Sequence, residues 1–428
     1  MKRLHFKILV VGAGPAGLAA ATSAAKSTNS IGLIDDNPMM GGQIWRGGVQ
    51  SAPTEQAKRW FEGTGAITVL NGARVIALLK PGIVIAETAT QTLEIHFERL
   101  IVATGARELF LPFPGWTLPG VMGAGGLQAL VKGGLPVSGK RVVVAGSGPL
   151  LLAVAAYLRG KGAHIQMIAE QTSWRRLGAF ALQLLRYPGH IGQASQLGRS
   201  LLGVPLYASC WVSGAHGTDR LEAVTLSQGD RTTTVNCDYL ACGFGLVPNI
   251  ELPTALGCAI VDGVVQIDEW QQSSLTSVYC AGEVTGVGGL DLSLIEGRIA
   301  GFVASGQLEE ARKCFPARNR ARRFAALLER SFVLRSELKT LVEDDTIVCR
   351  CEDVRYRDVR QYSNWRSAKL HTRCGMGPCQ GRVCGAATSF LFGWTPTSVR
   401  PPVTAARVMS FVPVDTGLSH DQVKGVEE

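Results

Sequence analysis

The chain has 428 residues, of which 46 % are hydrophobic and 18 % charged, with 51 glycines and a formal net charge of +9. This length indicates two to three domains, and this composition excludes an intrinsically disordered protein. Despite the positive charge, no basic groove with interleaved aromatic residues indicates nucleic-acid binding, and the apolar run 142–158 contains too many turn residues to be a transmembrane segment.

The N-terminal residues predict a strand, a glycine turn, a helix and a second strand. Residues 7–11 form the first strand, and the motif G-x-G-x-x-G follows directly with Gly12, Gly14 and Gly17. These glycines allow a tight turn, a close approach of a pyrophosphate to the backbone, and packing of the helix on the strand. Asp35 ends the second strand, where a carboxylate accepts hydrogen bonds from ribose hydroxyls. The unit predicts a dinucleotide site.

The same order of elements recurs once. Residues 141–145 form a predicted strand, Gly146 and Gly148 form the turn, and Glu170 ends the following strand. Two such units predict an α/β protein with two doubly wound nucleotide-binding folds. The third glycine is replaced by Leu151, which either pushes the helix away from the strand or marks an altered site. NAD, another adenine nucleotide or no ligand therefore remain alternatives for the second fold.

The segments around these units are strand-rich or helical. Residues 68–103 predict a β-meander, residues 221–278 predict further strands, and residues 295–304 predict a helix. A basic stretch, 312–335, is expected to be a helix with a solvated charged face, with docking to an acidic partner as the alternative. Its arginines include Arg318, Arg320, Arg322 and Arg323.

Three further segments carry a resemblance to a known family. They are Leu-Ile-Val-Ala-Thr-Gly at 100–105, Cys-Gly-Phe-Gly-Leu-Val-Pro-Asn at 242–249, and Val-Tyr-Cys-Ala-Gly-Glu at 278–283. With the two glycine motifs, they resemble the flavoproteins related to thioredoxin and glutathione reductases. The resemblance implies that the first fold binds FAD. It places the following residues beside that cofactor: Gln43, Thr104, Gly105, Gly282 and Glu283.

Disulfide reductase activity is disfavoured. Disulfide-reducing relatives carry a cysteine pair beside the flavin, whereas residues 36–46 contain no cysteine. Cys237 and Cys242 bracket a predicted strand and are expected to be buried packing thiols. The same is expected of the isolated cysteines Cys210, Cys258, Cys280 and Cys314.

The remaining five of the eleven cysteines lie within residues 349–384. Core packing does not produce this density, whereas ligation of a metal by thiolates does. Zinc sites commonly use C-x₂₋₄-C pairs, so the C-x-C pair at Cys349 and Cys351 fits zinc less well. The segment resembles the [2Fe–2S] domain of bacterioferritin-associated ferredoxin. That resemblance implies the ligands Cys349, Cys351, Cys379 and Cys384, with Cys374 either a spare thiol or a replacement for Cys384.

The whole order resembles the α subunits of bacterial heteromeric amine-oxidising dehydrogenases, the group of the opine oxidase A subunit, D-hydroxyproline dehydrogenase and the hydrogen cyanide synthase B subunit. The shared motifs are Gly-Gly-Gln-Ile-Trp-Arg at 41–46, Gly-Ser-Gly-Pro-Leu-Leu-Leu at 146–152, Cys-Arg-Cys-Glu at 349–352 and the Arg-Pro-Pro at 400–402. The resemblance implies a partner β subunit with its own FAD that oxidises a C–N bond. It further implies that this chain relays electrons to a respiratory acceptor and has no catalytic residue of its own. Whether FMN binds at the subunit interface is left open.

These observations predict four regions. Residues 1–135 and 236–308 form the FAD domain, 136–235 the second dinucleotide-binding fold, 309–343 a basic helical linker, and 344–428 the [2Fe–2S] domain with an extended tail. The location is expected to be cytoplasmic, with peripheral contact at the inner membrane left open. Two alternatives are a stand-alone NAD(P)H-dependent flavoprotein reductase and a non-catalytic scaffold that binds nucleotide and zinc.

Overall fold

The computed structural model of the chain describes residues 1–48, 54–395 and 399–411. The N-terminal elements are β1 (Lys2–Val11), α1 (Pro15–Ala24), β2 (Ile31–Asp35), α2 (Glu55–Glu62), β3 (Thr68–Asn71), β4 (Arg74–Lys80), β5 (Ile83–Glu87), β6 (Thr92–Val102) and β7 (Ala106–Glu108). They are followed by β8 (Val121–Gly123), α3 (Ala124–Lys132), β9 (Arg141–Gly146), α4 (Leu150–Gly160), β10 (His164–Glu170), α5 (Trp174–Leu184) and α6 (Pro188–Ser200).

The second half continues with short strands and then becomes helical. Its strands and first helices are β11 (Leu206–Ala208), β12 (Trp211–His216), β13 (Ala223–Gln228), β14 (Arg231–Asn236), β15 (Tyr239–Gly243), β16 (Leu246–Pro248), α7 (Glu251–Leu256), β17 (Ile260–Val261), β18 (Val264–Val265), β19 (Val278–Cys280) and α8 (Gly289–Ala304). The remaining elements are α9 (Leu308–Arg312), α10 (Phe315–Ser331), β20 (Ile347–Cys349), β21 (Val354–Arg355), α11 (Tyr356–Val359), α12 (Trp365–Thr372) and α13 (Cys384–Phe392).

The first sheet has a parallel core in the order β3-β2-β1-β6, and β19 extends it by pairing with the C-terminal end of β6. The strands β4 and β5 form an antiparallel meander on the N-terminal half of β6. Helices α1 and α8 cover one face, and their small residues let the two backbones approach closely: a Cβ on Gly297 would overlap the carbonyl oxygen of Ala16. The first βαβ unit is confirmed. The predicted meander is confirmed for β4, β5 and β6, whereas β3 at its start pairs parallel with β2 instead.

The second sheet is parallel, in the order β11-β10-β9-β15-β8. Its edge strand β8 and the helix α3 precede residue 135, and β15 follows residue 236. The predicted boundaries at 135 and 236 therefore need correction, because these segments hydrogen-bond within the second sheet. The chain passes between the two sheets at β7 and β16, which pair with each other as a two-stranded antiparallel ribbon.

Several helices were not predicted from the sequence, among them α2, α3, α5 and α6 and the first turn of α8. Helices α5 and α6 lie between β10 and β11, and neither contains a buried residue. Helix α8 begins at Gly289, six residues before its predicted start. Glycine-rich and outward-facing segments weaken the apolar periodicity on which such predictions depend.

The cysteine-rich module packs against the second sheet and is tied to the first. Trp116 donates its indole N–H to the carbonyl oxygen of Ile347 at 2.6 Å. Beyond the module, the described tail lies along the meander: Val403 N–H donates to Ile76 (2.8 Å), and the Ser410 hydroxyl donates to Glu87 (2.7 Å). The module is therefore held by both domains. Among the described helices, none has both the length and the apolar character required to cross a bilayer.

Candidate functional site

The first glycine loop lies between β1 and α1, as the motif predicts. Gly12 has a left-handed φ of 104°, and a Cβ at this position would overlap the carbonyl oxygen of Ala103. A Cβ on Gly17 would overlap the carbonyl oxygen of Gly12. Side chains at these two positions would therefore separate helix, turn and strand, whereas Gly14 adds no side chain at the N-terminus of α1. This bare backbone fits a pyrophosphate.

Asp35 is buried at the end of β2, where it supports the same loop. Its Oδ2 accepts a hydrogen bond from the backbone N–H of Ala13 at 2.5 Å, and Oδ1 accepts one from Asn37 N–H at 2.8 Å. The segment that contains Gln43 also lies beside the loop, because Gly41 N–H donates to the Ala13 carbonyl at 2.8 Å. Gln43 itself is exposed. The structure thus brings the predicted adenosine and flavin segments together.

The segment with Gly282 and Glu283 lies against the N-terminus of α1. Gly282 has a φ of 77°, and a Cβ there would lie 2.7 Å from the Cβ of Ala16. Glu283 begins a short 3-10 helix, and burial raises the pKa of its carboxyl group. Both residues therefore lie next to the first glycine loop.

A buried glutamate, which the sequence did not indicate, holds this segment in place. Glu296 on α8 is 2 % exposed, and its Oε2 accepts hydrogen bonds from Gly282 N–H (3.1 Å) and from the Thr285 hydroxyl (2.8 Å). Its Oε1 accepts two from Arg322, at 3.2 and 2.9 Å.

The expectation of a solvated basic face on α10 is therefore wrong for two of its arginines. Arg322 pairs with Glu296, and the buried Arg318 donates to the carbonyl oxygen of Glu269. Arg320 and Arg323 are exposed, as expected. A buried carboxylate requires a partner charge, so part of the basic stretch serves the FAD domain.

A second polar group joins the end of β6 to the cysteine module; we call it the interdomain clamp (Arg107, Asn249, Glu251 and Arg382). Thr104 and Asn249 exchange two hydrogen bonds, from Thr104 Oγ1 to Asn249 O (2.8 Å) and from Asn249 Nδ2 to Thr104 O (2.9 Å). Gly105 accepts a third from Asn249 N–H at 2.9 Å.

Arg107 carries this contact onward. Its Nη1 donates to Asn249 Oδ1 and pairs with Glu251 Oε1, both at 2.8 Å, while its Nε donates to the carbonyl oxygen of Arg382 at 3.0 Å. Burial lowers the pKa of Arg107, and the Glu251 carboxylate opposes that shift. Since Arg382 lies between Cys379 and Cys384, the clamp connects the predicted flavin segment directly to the cysteine loop.

The second glycine loop is built in the same way but is covered by the chain itself. Glu170 Oε2 accepts a hydrogen bond from Gly148 N–H at 2.7 Å, and burial raises the pKa of that carboxyl group. The ring of Phe332, just after α10, packs over Gly148, and the Phe332 carbonyl oxygen accepts a hydrogen bond from the Ser147 hydroxyl at 3.2 Å. Gln171 donates to the carbonyl oxygen of Val333 at 3.1 Å. Residues 332–333 therefore occupy the mouth of this fold.

The replacement of the third glycine by Leu151 is accommodated inside the core. Leu151 is 1 % exposed and faces Gly243 on the neighbouring strand, where a Cβ would lie 2.7 Å from the leucine Cδ2. The bare Gly243 backbone provides the space that the motif normally creates at the third glycine. Leucine at this position therefore has a structural explanation that does not involve a ligand.

Three cysteines of the module converge on one point. The sulfur atoms of Cys349, Cys374 and Cys384 all lie within 4.8 Å of one another, and all three side chains are buried. The Gly375 N–H faces Cys349 Sγ at 3.5 Å. Hydrogen bonds from the Cys374 and Cys384 thiols lower the pKa of Cys349 far below the usual thiol value. Such a group can bind an iron–sulfur cluster.

The other two cysteines lie together at the rim of this group. Cys351 is exposed. The backbone of Cys379 donates a hydrogen bond that lowers the pKa of Cys351, but burial and the neighbouring Cys379 thiol outweigh it and raise that pKa. Gly377 packs so closely on Cys351 that a Cβ would overlap the cysteine Cβ. Cys374 is therefore a member of the buried thiol group. Its position in the sequence could not show this.

The remaining six cysteines are buried, as expected. Burial raises the pKa of Cys237 to about 12, which makes it an inert packing thiol. Cys258 and Cys280, which the sequence suggested were isolated, share a hydrogen bond that lowers the pKa of Cys258 to about 7. Their neighbourhood arises because β19 and the loop after α7 pack together.

Comparison with known proteins agrees with this architecture. Residues 6–307 match the family described as "Pyridine nucleotide-disulphide oxidoreductase". The chain belongs to that family. The chain is 32 % identical to hydrogen cyanide synthase subunit HcnB of Pseudomonas aeruginosa over 423 residues, which cover 89 % of this chain and 91 % of the relative. It is 30 % identical to the A subunit of opine oxidase from Rhizobium meliloti strain 1021 over 422 residues, or 90 % and 91 % of the two chains.

Solved structures of other oxidoreductases share the fold. L-proline dehydrogenase from P. horikoshii superposes with a TM-score of 0.71 at 18 % identity, covering 96 % of this chain and 80 % of that one. Lactococcus lactis thioredoxin reductase superposes with a TM-score of 0.53 at 17 % identity, covering 71 % and 99 %. The predicted two-dinucleotide-domain fold class and the resemblance to the group of HcnB and the opine oxidase A subunit are therefore confirmed.

Proposed function

We propose that this flavin oxidoreductase is the electron-transfer subunit of a heteromeric dehydrogenase for amino acids or opines, acting on a secondary amine such as D-hydroxyproline. It relays electrons between a [2Fe–2S] cluster, its own FAD and the flavin of a partner subunit. The observation that carries the proposal is the interdomain clamp, which fixes the cysteine loop to residues 104–105 at the predicted flavin site. The relatives' names support it, since HcnB and the opine oxidase relative are each described as one subunit of a larger enzyme.

The protein's part in this function is to bind and position the cofactors. When bound, FAD accepts electron pairs and a [2Fe–2S] cluster transfers single electrons. Gly12, Gly14 and Gly17 would hold the FAD pyrophosphate at the start of α1, and Asp35 would hold the ribose. Glu296 fixes the segment of Gly282 and Glu283 through the contacts described above.

We assign the cluster to Cys349 and Cys384 on one side and to Cys351 and Cys379 on the other. Each iron of a [2Fe–2S] cluster takes two thiolates, and these two pairs lie next to each other in the module. Cys374, whose sulfur lies within 4.8 Å of those of Cys349 and Cys384, would then be a supporting thiol. The alternative, in which Cys374 replaces Cys384, is distinguished by serine variants.

The partners remain part of the proposal. A β subunit of the amine-oxidase type with its own FAD would carry the substrate chemistry, and a respiratory acceptor would take the electrons, with the complex in the cytoplasm or at the inner membrane. FMN could bind between the subunits only if partner residues complete its site. Co-purification from the native host, followed by an amine and imino-acid substrate screen, tests the assignment. A monomeric protein without amine-dependent flavin reduction in the reconstituted system would contradict it.

The second candidate function is a self-contained NAD(P)H-dependent reductase, for which the second fold would be the hydride-donor site. Phe332 packs over Gly148 of that fold, and the main chain at Phe332 and Val333 accepts hydrogen bonds from Ser147 and Gln171. The pyrophosphate of a dinucleotide would have to displace this segment. Another adenine nucleotide at this site would also have to displace residues 332–333.

The packing of Phe332 and Val333 over the second glycine loop leads to a prediction for nicotinamide cofactors. Anaerobic mixing with NADH or NADPH should leave the flavin absorbance unchanged on the time scale in which an amine substrate and the partner subunit bleach it. Rapid bleaching by either nucleotide would support the reductase. A colourless protein that contains zinc without iron or sulfide would support the scaffold instead.

The clamp leads to a second prediction. Arg107→Ala should retain FAD and iron but slow amine-dependent reduction of this chain's flavin about tenfold or more, because positional errors of about 1 Å have effects of this size on reactions between bound groups. Rapid-mixing absorbance measures the rate, and Arg355→Ala is the matched control. Arg355 is an exposed arginine of the same module whose guanidinium pairs with the exposed Asp345 at 2.8 Å. Equal rates for both variants would show that the clamp has no part in transfer.

A further inference from the structure

Helix α5 presents an apolar stripe to solvent. At 3.6 residues per turn, positions 174, 178, 181, 182 and 185 share one face. On this face Trp174, Leu182 and Leu185 are 60, 72 and 67 % exposed. Single exposed leucines are common on protein surfaces, whereas a tryptophan and two leucines along one helix face form a contiguous patch.

The exposed stripe is not the side through which α5 packs on the rest of the domain. Phe180 meets Phe332 edge to face with ring centroids 5.0 Å apart, and Tyr187, just beyond the helix, meets Phe324 of α10 at 4.9 Å. Leu177 and Leu184 lie on the same inward side and are half-buried. The helix therefore packs on the protein through one apolar side and exposes a second apolar side to solvent.

The charged residues of the chain segment that contains the stripe are all positive. No aspartate or glutamate occurs from Gln171 to Thr218, and the arginines of this segment are exposed: Arg175, Arg176, Arg186 and Arg199. Arg175 and Arg186 fall on one edge of the stripe by helical spacing. Exposed tryptophan and leucine bordered by arginine is the pattern of a helix that lies in the interface of an anionic membrane.

We infer that α5 is a peripheral membrane-binding element that inserts Trp174, Leu182 and Leu185 into the surface of an anionic phospholipid bilayer. The arginines at its edge contact the lipid phosphates, and the helix lies parallel to the membrane without crossing it. The inference does not depend on the proposed electron-transfer function. It places the second domain, rather than the cysteine module, against the lipid.

Flotation of the full-length holoprotein with vesicles tests the inference. Vesicles of phosphatidylcholine with about one third phosphatidylglycerol should carry the protein to the top of the gradient at low salt, whereas pure phosphatidylcholine vesicles should carry much less. Leu182→Gln with Leu185→Gln should weaken binding about tenfold or more, from the lost apolar insertion. Arg175→Gln with Arg186→Gln should reduce binding to the anionic vesicles and make it less sensitive to salt.

The matched control is Leu79→Gln with Leu370→Gln, two leucines that are 58 and 62 % exposed on separate elements, β4 and α12. This variant should float like the unaltered protein. Absence of flotation with anionic vesicles, or equal flotation of the two leucine variants, would overturn the inference. So would a self-associated species in gel filtration that disappears only in the Leu182 and Leu185 variant, because the stripe would then join two copies of the chain.

Discussion

Replacement of Cys349 by serine is expected to abolish the iron–sulfur signal and amine-dependent reduction of this chain's FAD. Cys349 lies in the buried thiol group with Cys374 and Cys384, and the Gly375 N–H faces its sulfur. The neighbouring thiols lower the pKa of Cys349, which favours the thiolate form that a metal requires of its ligand. Removal of a cluster ligand should reduce bound iron and inorganic sulfide at least about tenfold.

The matched variant is Cys374→Ser, in the same buried group. With Cys384 as a ligand, Cys374→Ser should retain the cluster, with a changed potential at most, and Cys384→Ser should lose it. The reverse pattern would assign Cys374 as the ligand. Low-temperature electron paramagnetic resonance of dithionite-reduced protein, together with iron and sulfide analysis, measures the outcome. Unchanged spectra and unchanged electron transfer in both Cys349→Ser and Cys384→Ser would end the cluster assignment.

Arg322→Leu is expected to destabilise the FAD domain and to weaken retention of FAD. Removing the arginine leaves the Glu296 carboxylate buried without its partner charge, which costs about 3–5 kcal/mol in fully buried pairs. Because the Arg322 side chain is 39 % exposed, we expect about 2–3 kcal/mol here. Glu296 also accepts hydrogen bonds from Gly282 N–H and the Thr285 hydroxyl, so its displacement should disturb the segment of Gly282 and Glu283 beside the predicted FAD site as well.

Denaturant unfolding and FAD release on dialysis measure these two effects. Arg323→Leu is the control, because Arg323 is the next residue of α10 and is exposed. The double variant Arg322→Leu with Glu296→Gln should recover part of the lost stability, since the neutral amide can still accept the hydrogen bonds from Gly282 and Thr285. Equal stability of the Arg322 and Arg323 variants would show that the ion pair does not support the site.

The interdomain clamp and the described tail give the cysteine module a fixed position. Arg382 donates to the Val403 carbonyl oxygen at 2.6 Å, and Val403 in turn donates to Ile76 of the FAD domain. The loop between Cys379 and Cys384 is therefore held from two sides. A fixed module would keep the two proposed cofactors at one separation, which the proposed single-electron transfer over a short distance requires.

The sequence determined the features that depend on short, local patterns. The loop of Gly12 and Gly17 is readable because a β-carbon at either position meets backbone atoms, so the turn itself demands glycine. Asp35 follows at the spacing that the strand length imposes. The five cysteines in 36 residues are readable because core packing has no reason to concentrate thiols.

The tertiary structure decided the contacts that join distant parts of the chain. Two examples are the ion pair of Glu296 with Arg322 and the hydrogen bond from Ser147 to Phe332. Such contacts form because separate elements pack together, and the periodicity of the sequence does not predict them. For the same reason the observed domain boundary differs from the predicted one, because β8 pairs with β15, which lies more than a hundred residues later in the chain. The outward apolar stripe of α5 has the spacing of a core face, and only the position of the helix shows which side is buried.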